Sequence, residues 1–275
     1  MPNSRSFRRY YFRPLFMAAV LRLITLAALS LTPSGLASAQ DRAPVIAAAS
    51  DLRFALSDII TAFETETGHT IRVSYGSSGQ FTQQIRQGAP YQLFMAADEA
   101  YIADLHRLGL TMDEGDLYAE GRIVLMVPQG SKLKADSHLD HLASLLDEKA
   151  IAHFAIANPD HAPYGARAKE ALIHKGLWPA IEPLLVLGEN VSQAAQFALS
   201  GNSEGGIIAY SLAFSPKLET RGSYALIPAD WHQPLRQRMV RLYGAGAIAE
   251  DFYAYMKTEK ARAIMRDYGF DLPGF

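Results

Sequence analysis

The chain has 275 residues and contains no cysteine. This absence excludes disulfide bonds, thiolate metal sites and a cysteine nucleophile. It also excludes the lipid-modified cysteine that tethers some exported proteins to a membrane. The zinc motifs H-E-x-x-H and C-x-x-C are absent as well, and none of the eight histidines sits in a recognisable partner motif. We therefore expect no cofactor and no directly ligated metal ion.

An excess of positive charge is also lacking once the N-terminal segment is set aside. Residues 1–39 carry five arginines and no acidic residue, so the remainder has 21 basic against 28 acidic residues, a net charge of −7. Such a surface repels nucleic acid and anionic membranes. We expect no nucleic-acid partner, and any anionic ligand must be held by local donors.

The first 39 residues have the pattern of a cleaved export signal. A basic start is followed by an apolar stretch, Leu15–Leu31, and by the small residues Ala37–Ala39 before Gln40. A membrane anchor is the alternative, but Arg22 interrupts the apolar stretch and leaves fewer than the about 20 residues that a span needs. An exported protein without an anchor is retained only behind an outer barrier, so we expect a periplasmic protein cleaved near Ala39.

The first part of the remaining chain alternates between strand and helix patterns. Strands are predicted at Pro44–Ala49, Thr70–Tyr75 and Tyr91–Met95, with helices at Asp51–Thr67, Gly79–Gln87 and up to Leu108. This βαβαβ order predicts an α/β fold with a doubly wound, mostly parallel sheet whose ligands bind at the carboxyl ends of the strands.

A second α/β unit follows. Gly121–Val127 is a long β-rich run suited to crossing into it, and Arg236–Leu242 is a candidate return crossing. Amphipathic helices at about Ala247–Tyr268 would then pack on the first unit. We expect a first lobe formed by residues 43–122, a second lobe formed by residues 123–232, and a return to the first lobe over residues 233–275.

Serines end two strand patterns and begin helical ones, at Ser50 and at Ser78. The first N–H groups of a helix have no intrahelical partner and carry partial positive charge, so a strand that delivers a hydroxyl there can form an anion site. Each serine alone could simply be a helix cap. Two further helix starts, near Tyr164 and Val191, complete a set of two per half that could converge across a cleft.

Other candidate chemistry is weaker. Gly76–Gly79 resembles the nucleophile elbow G-x-S-x-G with its second glycine one place early, which keeps a serine hydrolase using Ser78 as an alternative. His161 fits a surface loop histidine better than a general base. Asp51 and Asp98 follow predicted strands, where helix capping is the simpler role for each.

Taken in order, these segments resemble the periplasmic molybdate-binding proteins of ABC transporters, a type II solute-binding protein family. The resemblance extends over about residues 44–270 and rests on nine short segments: Ala47–Ser50, Ser77–Ser78, Gln84–Pro90, Leu93–Phe94, Ala97–Asp98, Asn158–His161, Ala168–Leu172, Glu189–Val191 and Tyr268–Phe270. It implies two hinged α/β lobes that hold a tetrahedral oxyanion, molybdate and usually tungstate, without a metal ion or counter-charge.

The resemblance also implies a ligand-binding set. Ser50 and Ser78 would donate through hydroxyl and backbone N–H, Tyr164 and Val191 through backbone N–H, and Asp51 through its own N–H with its carboxylate turned away. Some members have a ligand-binding tyrosine at the position of Ala209. We expect the Tyr164 hydroxyl to replace that donor, because Tyr210 should face the opposite side of a strand.

The sequence thus predicts a non-enzymatic, monomeric binding protein that delivers molybdate or tungstate to the permease of an ABC importer. Another oxyanion, sulfate or an organic acid, is the nearest alternative ligand. A periplasmic serine hydrolase is the alternative from another class.

Overall fold

The computed structural model describes residues 43–216 and 218–273. The expected export signal and its cleavage site lie outside these residues. Within the described part of the chain, no helix combines the length and apolar character needed to cross a membrane.

In residues 43–216 and 218–273, ten strands form two five-stranded sheets. The first sheet has the order β2-β1-β3-β10-β4 and the second has the order β7-β6-β8-β5-β9. The strands are β1 (Val45–Ala49), β2 (Arg72–Gly76), β3 (Leu93–Ala96), β4 (Asp116–Gly121), β5 (Ile123–Pro128), β6 (Phe154–Ala157), β7 (Leu185–Gly188), β8 (Gly206–Ala209), β9 (Gly222–Leu226) and β10 (Leu235–Arg241).

Helices cover both sheets. They are α1 (Arg53–Thr67), α2 (Ser78–Arg86), α3 (Glu99–Arg107), α4 (Asp140–Asp147), α5 (Pro163–His174), α6 (Trp178–Ile181), α7 (Val191–Ala198), α8 (Tyr210–Ala213), α9 (Ala247–Tyr255) and α10 (Glu259–Asp267). A 3₁₀ turn, Ser50–Leu52, joins β1 to α1. The expected fold class, two α/β units each built on a sheet flanked by helices, is confirmed.

The sheets are mixed: in each, four of the five strands run in the same direction and one runs against them, so the expectation of mostly parallel sheets holds for strand direction. In the first sheet β1 runs parallel to β2 and β3, but β10 runs antiparallel to both β3 and β4. In the second sheet β5 is antiparallel to β8 and β9. An antiparallel strand has the same β-rich composition as a parallel one, so the sequence pattern does not separate the two cases.

The chain passes between the sheets at one predicted place and at one unexpected place. Arg122 alone separates β4 of the first sheet from β5 of the second, within the predicted crossing run Gly121–Val127. The expected return crossing at Arg236–Leu242 is wrong. That run is β10, which lies inside the first sheet, and the chain returns earlier, over residues 227–234.

Helix α1 shows how local sequence sets the boundaries of an element. Leu56, Ile59 and Phe63 recur at helical spacing and are buried, so one face of α1 packs on the sheet. Gly68 ends the helix in the left-handed conformation with φ of 73°, and its N–H donates to Glu64 O at 2.9 Å.

Helices α1, α9 and α10 pack on one face of the first sheet, as the amphipathic pattern of the C-terminal segment predicts. The Phe63 and Phe252 rings meet edge to face with their centroids 5.2 Å apart. Both side chains are buried within one apolar cluster that joins the N-terminal and C-terminal parts of the unit. Residues separated widely in sequence therefore share a core.

Truncation of this contact should destabilise the fold. Phe63→Ala is expected to lower the free energy of unfolding by about 3–5 kcal/mol, because it removes a buried aromatic ring and leaves a cavity. Tyr243→Ala is the control, since Tyr243 is 67 % exposed, and it should change stability by less than about 0.5 kcal/mol. Urea denaturation measures both, and equal midpoints would contradict the assigned core.

Candidate functional site

One cavity collects all five residues that the sequence singled out. It lies where strands of both sheets end and helices begin. The residues that line it are Ala49, Ser50, Asp51, Gly76, Ser77, Ser78, Ala97, Pro163, Tyr164 and Val191. The placement of Ser50, Asp51, Ser78, Tyr164 and Val191 around one space is what convergent helix starts require.

The two serines are not helix caps. Ser77, not Ser78, caps α2, and its Oγ accepts from Gln80 N at 3.3 Å. The buried Ser78 Oγ accepts from Ala97 N at 3.0 Å, and the buried Ser50 Oγ accepts from Ser192 N at 3.2 Å. A hydroxyl that accepts still has its single proton to donate. Both serines can therefore donate to a ligand in the cavity.

Backbone donors surround the same space. Ser78 and Val191 are the first residues of α2 and α7, and Tyr164 is the second residue of α5. N–H groups at these positions have no partner within their own helix, and the helix dipole adds partial positive charge there. Three helix N-termini and two hydroxyls thus present neutral donors of the kind that can bind an anion.

The cavity holds no cationic side chain. The residues that line it, all within the described chain, include no lysine, arginine or histidine. Among the described residues there is also no group of three His, Cys, Asp or Glu side chains able to hold a metal ion. An anion bound here would be held by hydrogen bonds alone.

Asp51 is the only aspartate or glutamate among the residues that line the cavity. Its carboxylate is buried, and Oδ2 accepts from the Tyr164 hydroxyl at 3.0 Å and from Gln237 Nε2 at 2.7 Å. Oδ1 has no hydrogen-bond partner among the residues that the structure describes. Burial raises the pKa of Asp51 from 3.8 to about 6, against the opposing effect of the hydrogen bonds from Gln237, from Tyr164 and from the backbone N–H groups of Asp51 and Leu52.

The capping role expected for the two aspartates holds for only one of them. Asp98 caps α3 by accepting from Ala100 N at 2.9 Å, and it also pairs with Arg167 at 2.6 Å. Asp51 is not the N-cap of the turn Ser50–Leu52 or of α1, and its carboxylate accepts from Tyr164 and Gln237 instead. The expectation that Asp51 caps a helix start is wrong because tertiary partners compete for its oxygens.

Gln237 is a site residue that sequence reasoning missed. It lies in β10, and it is fully buried although its neighbours Arg236 and Arg238 are not. Alternation along the strand places Gln237 on the same face as the buried Leu235, with the exposed Arg236 between them. An amide at an apolar position of that alternation was the available signal.

Hydrogen bonds close the space between segments of the two sheets. Ser192 Oγ donates to Ser50 O at 2.7 Å, and Gly79 N donates to His161 O at 2.9 Å. A Cβ on Gly79 would lie 2.6 Å from that carbonyl, so only glycine permits this approach. The structure is therefore that of a closed cleft.

His161 takes part in the same closure. Its Nδ1 lies 2.9 Å from Ser77 Oγ, and its Nε2 lies 3.7 Å from a Glu189 carboxylate oxygen. The ring is one-quarter exposed, so the expected surface loop histidine is partly buried at a contact between the two halves. Its partner is Ser77 and not Ser78, which was the serine proposed as a nucleophile.

Comparison with protein families assigns the chain to a family of binding proteins. The model for bacterial extracellular solute-binding proteins matches residues 44–271. The chain belongs to this family. The matched region includes every residue that lines the cavity.

Two similar proteins confirm the resemblance to molybdate-binding proteins that the sequence indicated. The molybdate-binding protein ModA of Azotobacter vinelandii is 35% identical over 230 residues, covering 82% of this chain and 89% of that protein. ModA of Rhodobacter capsulatus is 35% identical over 240 residues, covering 86% of this chain and 91% of that protein.

Solved structures give the same fold. The periplasmic molybdate-binding protein of Azotobacter vinelandii has a TM-score of 0.75 at 30% identity, covering 85% of this chain and all of that one. The sulfate-binding protein SubI of Mycobacterium tuberculosis has a TM-score of 0.67 at 16% identity, covering 83% and 86% of the two chains. The second likeness shows the fold alone.

The tyrosine question is resolved differently from the expectation. Tyr210 packs its ring against Phe214 and Tyr224 and does not line the cavity. The Tyr164 hydroxyl, expected to donate to the anion, donates to Asp51 Oδ2 instead. A phenol has one proton, so this contact leaves none for a ligand. Of the two donors that Tyr164 has, its hydroxyl and its backbone N–H, only the N–H remains for a ligand in the cavity.

The raised pKa of Asp51 has a consequence for stability. Its folded pKa of about 6 exceeds the ordinary 3.8, so the folded state keeps a proton that the unfolded state releases first. Stability conferred by this group therefore falls as pH rises from about 4 to about 6. Asp51→Asn should remove that fall, and its stability relative to the wild type should grow by up to about 3 kcal/mol across the window.

Urea denaturation at pH values from 4 to 7 measures the two profiles. Asparagine keeps the size of the side chain and an oxygen that can accept from Tyr164 and Gln237, so the variant should remain folded. Parallel profiles for the variant and the wild type would contradict the shifted pKa.

Proposed function

We propose that this chain is a periplasmic solute-binding protein that captures molybdate, and also tungstate, in the closed cavity and delivers it to the permease of an ABC importer. The observation that carries the proposal is a cavity without a cation into which two serine hydroxyls and three helix N-termini can donate. The relatives named for molybdate binding, which share 35% identity over most of the chain, support the choice of ligand.

The chemistry of the donors supports a fully deprotonated oxyanion. Such a dianion offers only hydrogen-bond acceptors, so a cage made of donors satisfies it. Ser50 and Ser78 would donate through hydroxyl and N–H, and Asp51, Tyr164 and Val191 through N–H. Neutral donors also leave the ligand releasable, since no buried ion pair has to be broken when it departs.

Each sheet with its helices is proposed to act as one lobe. Residues 43–122 and 233–275 would form the first lobe and residues 123–232 the second. The contacts Ser192–Ser50 and His161–Gly79 then join the two lobes, so their rupture would open the cavity to solvent. Closure over the anion would give the permease a shape that differs from the empty form.

The remaining parts of the proposal concern the protein in the cell. The chain would be exported by the segment 1–39, cleaved near Ala39, and work in the periplasm as a monomer. It would bind and release its ligand without chemical turnover. The membership in a solute-binding family supports this role.

A second candidate, hydrolysis, is favoured by one observation. The Ser77–His161–Glu189 series has the order of a hydrolase triad. However, Ser77 caps α2, the His161–Glu189 distance of 3.7 Å is longer than a hydrogen bond, and the Glu189 side chain is 63% exposed. Turnover of an ester or phosphoester panel, lost in Ser77→Ala, would favour hydrolysis over transport.

Ligand binding should stabilise the protein by mass action. With 1 mM molybdate or tungstate, the melting temperature should rise, and the rise should grow with the logarithm of ligand concentration. Sulfate and phosphate at the same concentration are the comparison ligands. A clear shift with sulfate or an organic acid, and none with molybdate or tungstate, would transfer the assignment to the other ligand.

Removal of either serine hydroxyl should weaken binding. Ser50→Ala and Ser78→Ala are each expected to cost about 1.5–3 kcal/mol in molybdate affinity, the range for a hydrogen bond to a charged group. Ser57→Ala, on the exposed face of α1, is the matched control and should bind as the wild type does. Calorimetric titration measures all three, and unchanged affinity in a cavity variant would mean that its hydroxyl does not touch the ligand.

A further inference from the structure

The cavity proposed to bind an anion is also lined by an acidic residue, Asp51. A bound dianion would lie next to Asp51, which also lines the cavity. The exposed fraction of Asp51 is 1%. Two like charges in a closed space repel strongly, because neither is screened by water. One of them has to be neutralised for the closed complex to be stable.

The hydrogen bonds around Asp51 show where a proton fits. Oδ2 already receives two donors, from Tyr164 and Gln237, so a proton there would face other hydrogens. Oδ1 is buried and receives no side-chain donor from the described residues, while the backbone N–H groups of Asp51 and Leu52 lie close enough to the carboxylate to favour its ionised form. A proton therefore fits Oδ1 better than Oδ2, because no side chain donates to Oδ1, and the protonated group would need an acceptor.

Among the residues that the structure describes, no neighbouring cation can neutralise Asp51 in place of a proton. The titratable groups that face it are the phenols of Tyr164 and Tyr118, and burial raises the pKa of both well above the ordinary value, so they are neutral. Helices α7 and α8 present hydroxyls, such as Ser211 Oγ, which donates to Asp51 O at 3.0 Å. Nearby groups point elsewhere: Tyr210 to Phe214, Arg53 to the Tyr75 ring and Arg122 to Ile227 O.

We propose that Asp51 is protonated when the oxyanion is bound, and that its Oδ1–H donates a hydrogen bond to the anion. The carboxylate of the free protein takes one proton from solvent on binding, and the ligand stays a dianion. Asp51 then supplies the side-chain donor that Tyr164 does not. This inference rests on the proposed function and adds to it a dependence of affinity on pH.

The direction of the pH dependence follows from linkage. The free site loses its proton with a pKa of about 6, and a bound dianion would raise the pKa of Asp51 further. Between those two values each unit of pH costs up to about tenfold in affinity, since one proton must be taken up. Tight binding near pH 6 should therefore weaken steadily toward pH 8.5.

Calorimetric titration of the mature protein with sodium molybdate tests this. Measurements at pH 6.5, 7.5 and 8.5, each in two buffers of different ionisation enthalpy, give the number of protons taken up. The wild type should take up close to one proton at pH 7.5 and lose affinity by up to about tenfold per pH unit. Asp51→Asn, whose amide donates without titrating, should take up none and bind with a nearly constant Kd.

Asp58→Asn is the matched control, because Asp58 also accepts a tyrosine hydroxyl, from Tyr268 at 2.7 Å, but lies on α1 outside the cavity. It should show the proton uptake of the wild type. Tyr164→Phe keeps Asp51 and removes a donor that favours its ionised form, so the loss of affinity should begin at higher pH. A carboxylic acid C=O stretch that appears on ligand binding, and is absent in Asp51→Asn, would be an independent infrared signature.

The outcomes separate this inference from the function on which it rests. Molybdate binding without proton uptake, or with the same uptake in Asp51→Asn, would overturn the protonation of Asp51 and leave the transport function standing. Absence of molybdate and tungstate binding at every pH would overturn the proposed function and this inference with it.

Discussion

A closed cavity for an anion imposes a balance between donors and acceptors, and the rest of the structure depends on that balance. No cation lines the cavity, so each oxygen of a ligand must be met by an N–H or an O–H. The fold meets this demand through the ends of its strands. β1 and β2 deliver Ser50 and Ser78, and the turns after β6 and β7 lead to the first residues of α5 and α7. Helix N-termini provide donors whose positions are fixed by the backbone and which therefore require no rearrangement.

Closure of the cleft uses the same groups as the cavity. Ser192 donates its backbone N–H to the Ser50 hydroxyl and its own hydroxyl to the Ser50 carbonyl, so Ser50 is both a wall of the cavity and a contact between the two halves. Binding and closure are thereby linked through one residue.

Much of this arrangement could be predicted because its signals are local. Apolar runs that end at a serine, helical spacing in α1 and a glycine at its end each depend on neighbouring residues, and the structure brings Ser50, Ser78, Tyr164 and Val191 to one cavity. The antiparallel placement of β10 and the role of Gln237 could not be predicted in the same way. Both depend on which strands pair in space, and a run such as Leu235–Arg241 has the same pattern whether it crosses between sheets or lies within one.

The destination of the Tyr164 hydroxyl explains why Ala209 can stand where some relatives of the resembled family have a tyrosine. A phenol that faced the cavity would be a donor at every physiological pH. Here the Tyr164 hydroxyl donates to Asp51 and so orients its carboxyl group. Gln237 donates to the same carboxylate oxygen, and no side chain of the described residues donates to Oδ1. Two donors on one oxygen orient the carboxyl, and burial favours its neutral form over its ionised form. A side chain that is an acceptor when ionised thus becomes a donor when the site closes over a dianion. With Asp51 in place of the tyrosine found in some relatives, the cavity still offers only donors to a bound dianion. Its affinity for the anion then depends on pH, because Asp51 must be protonated to donate.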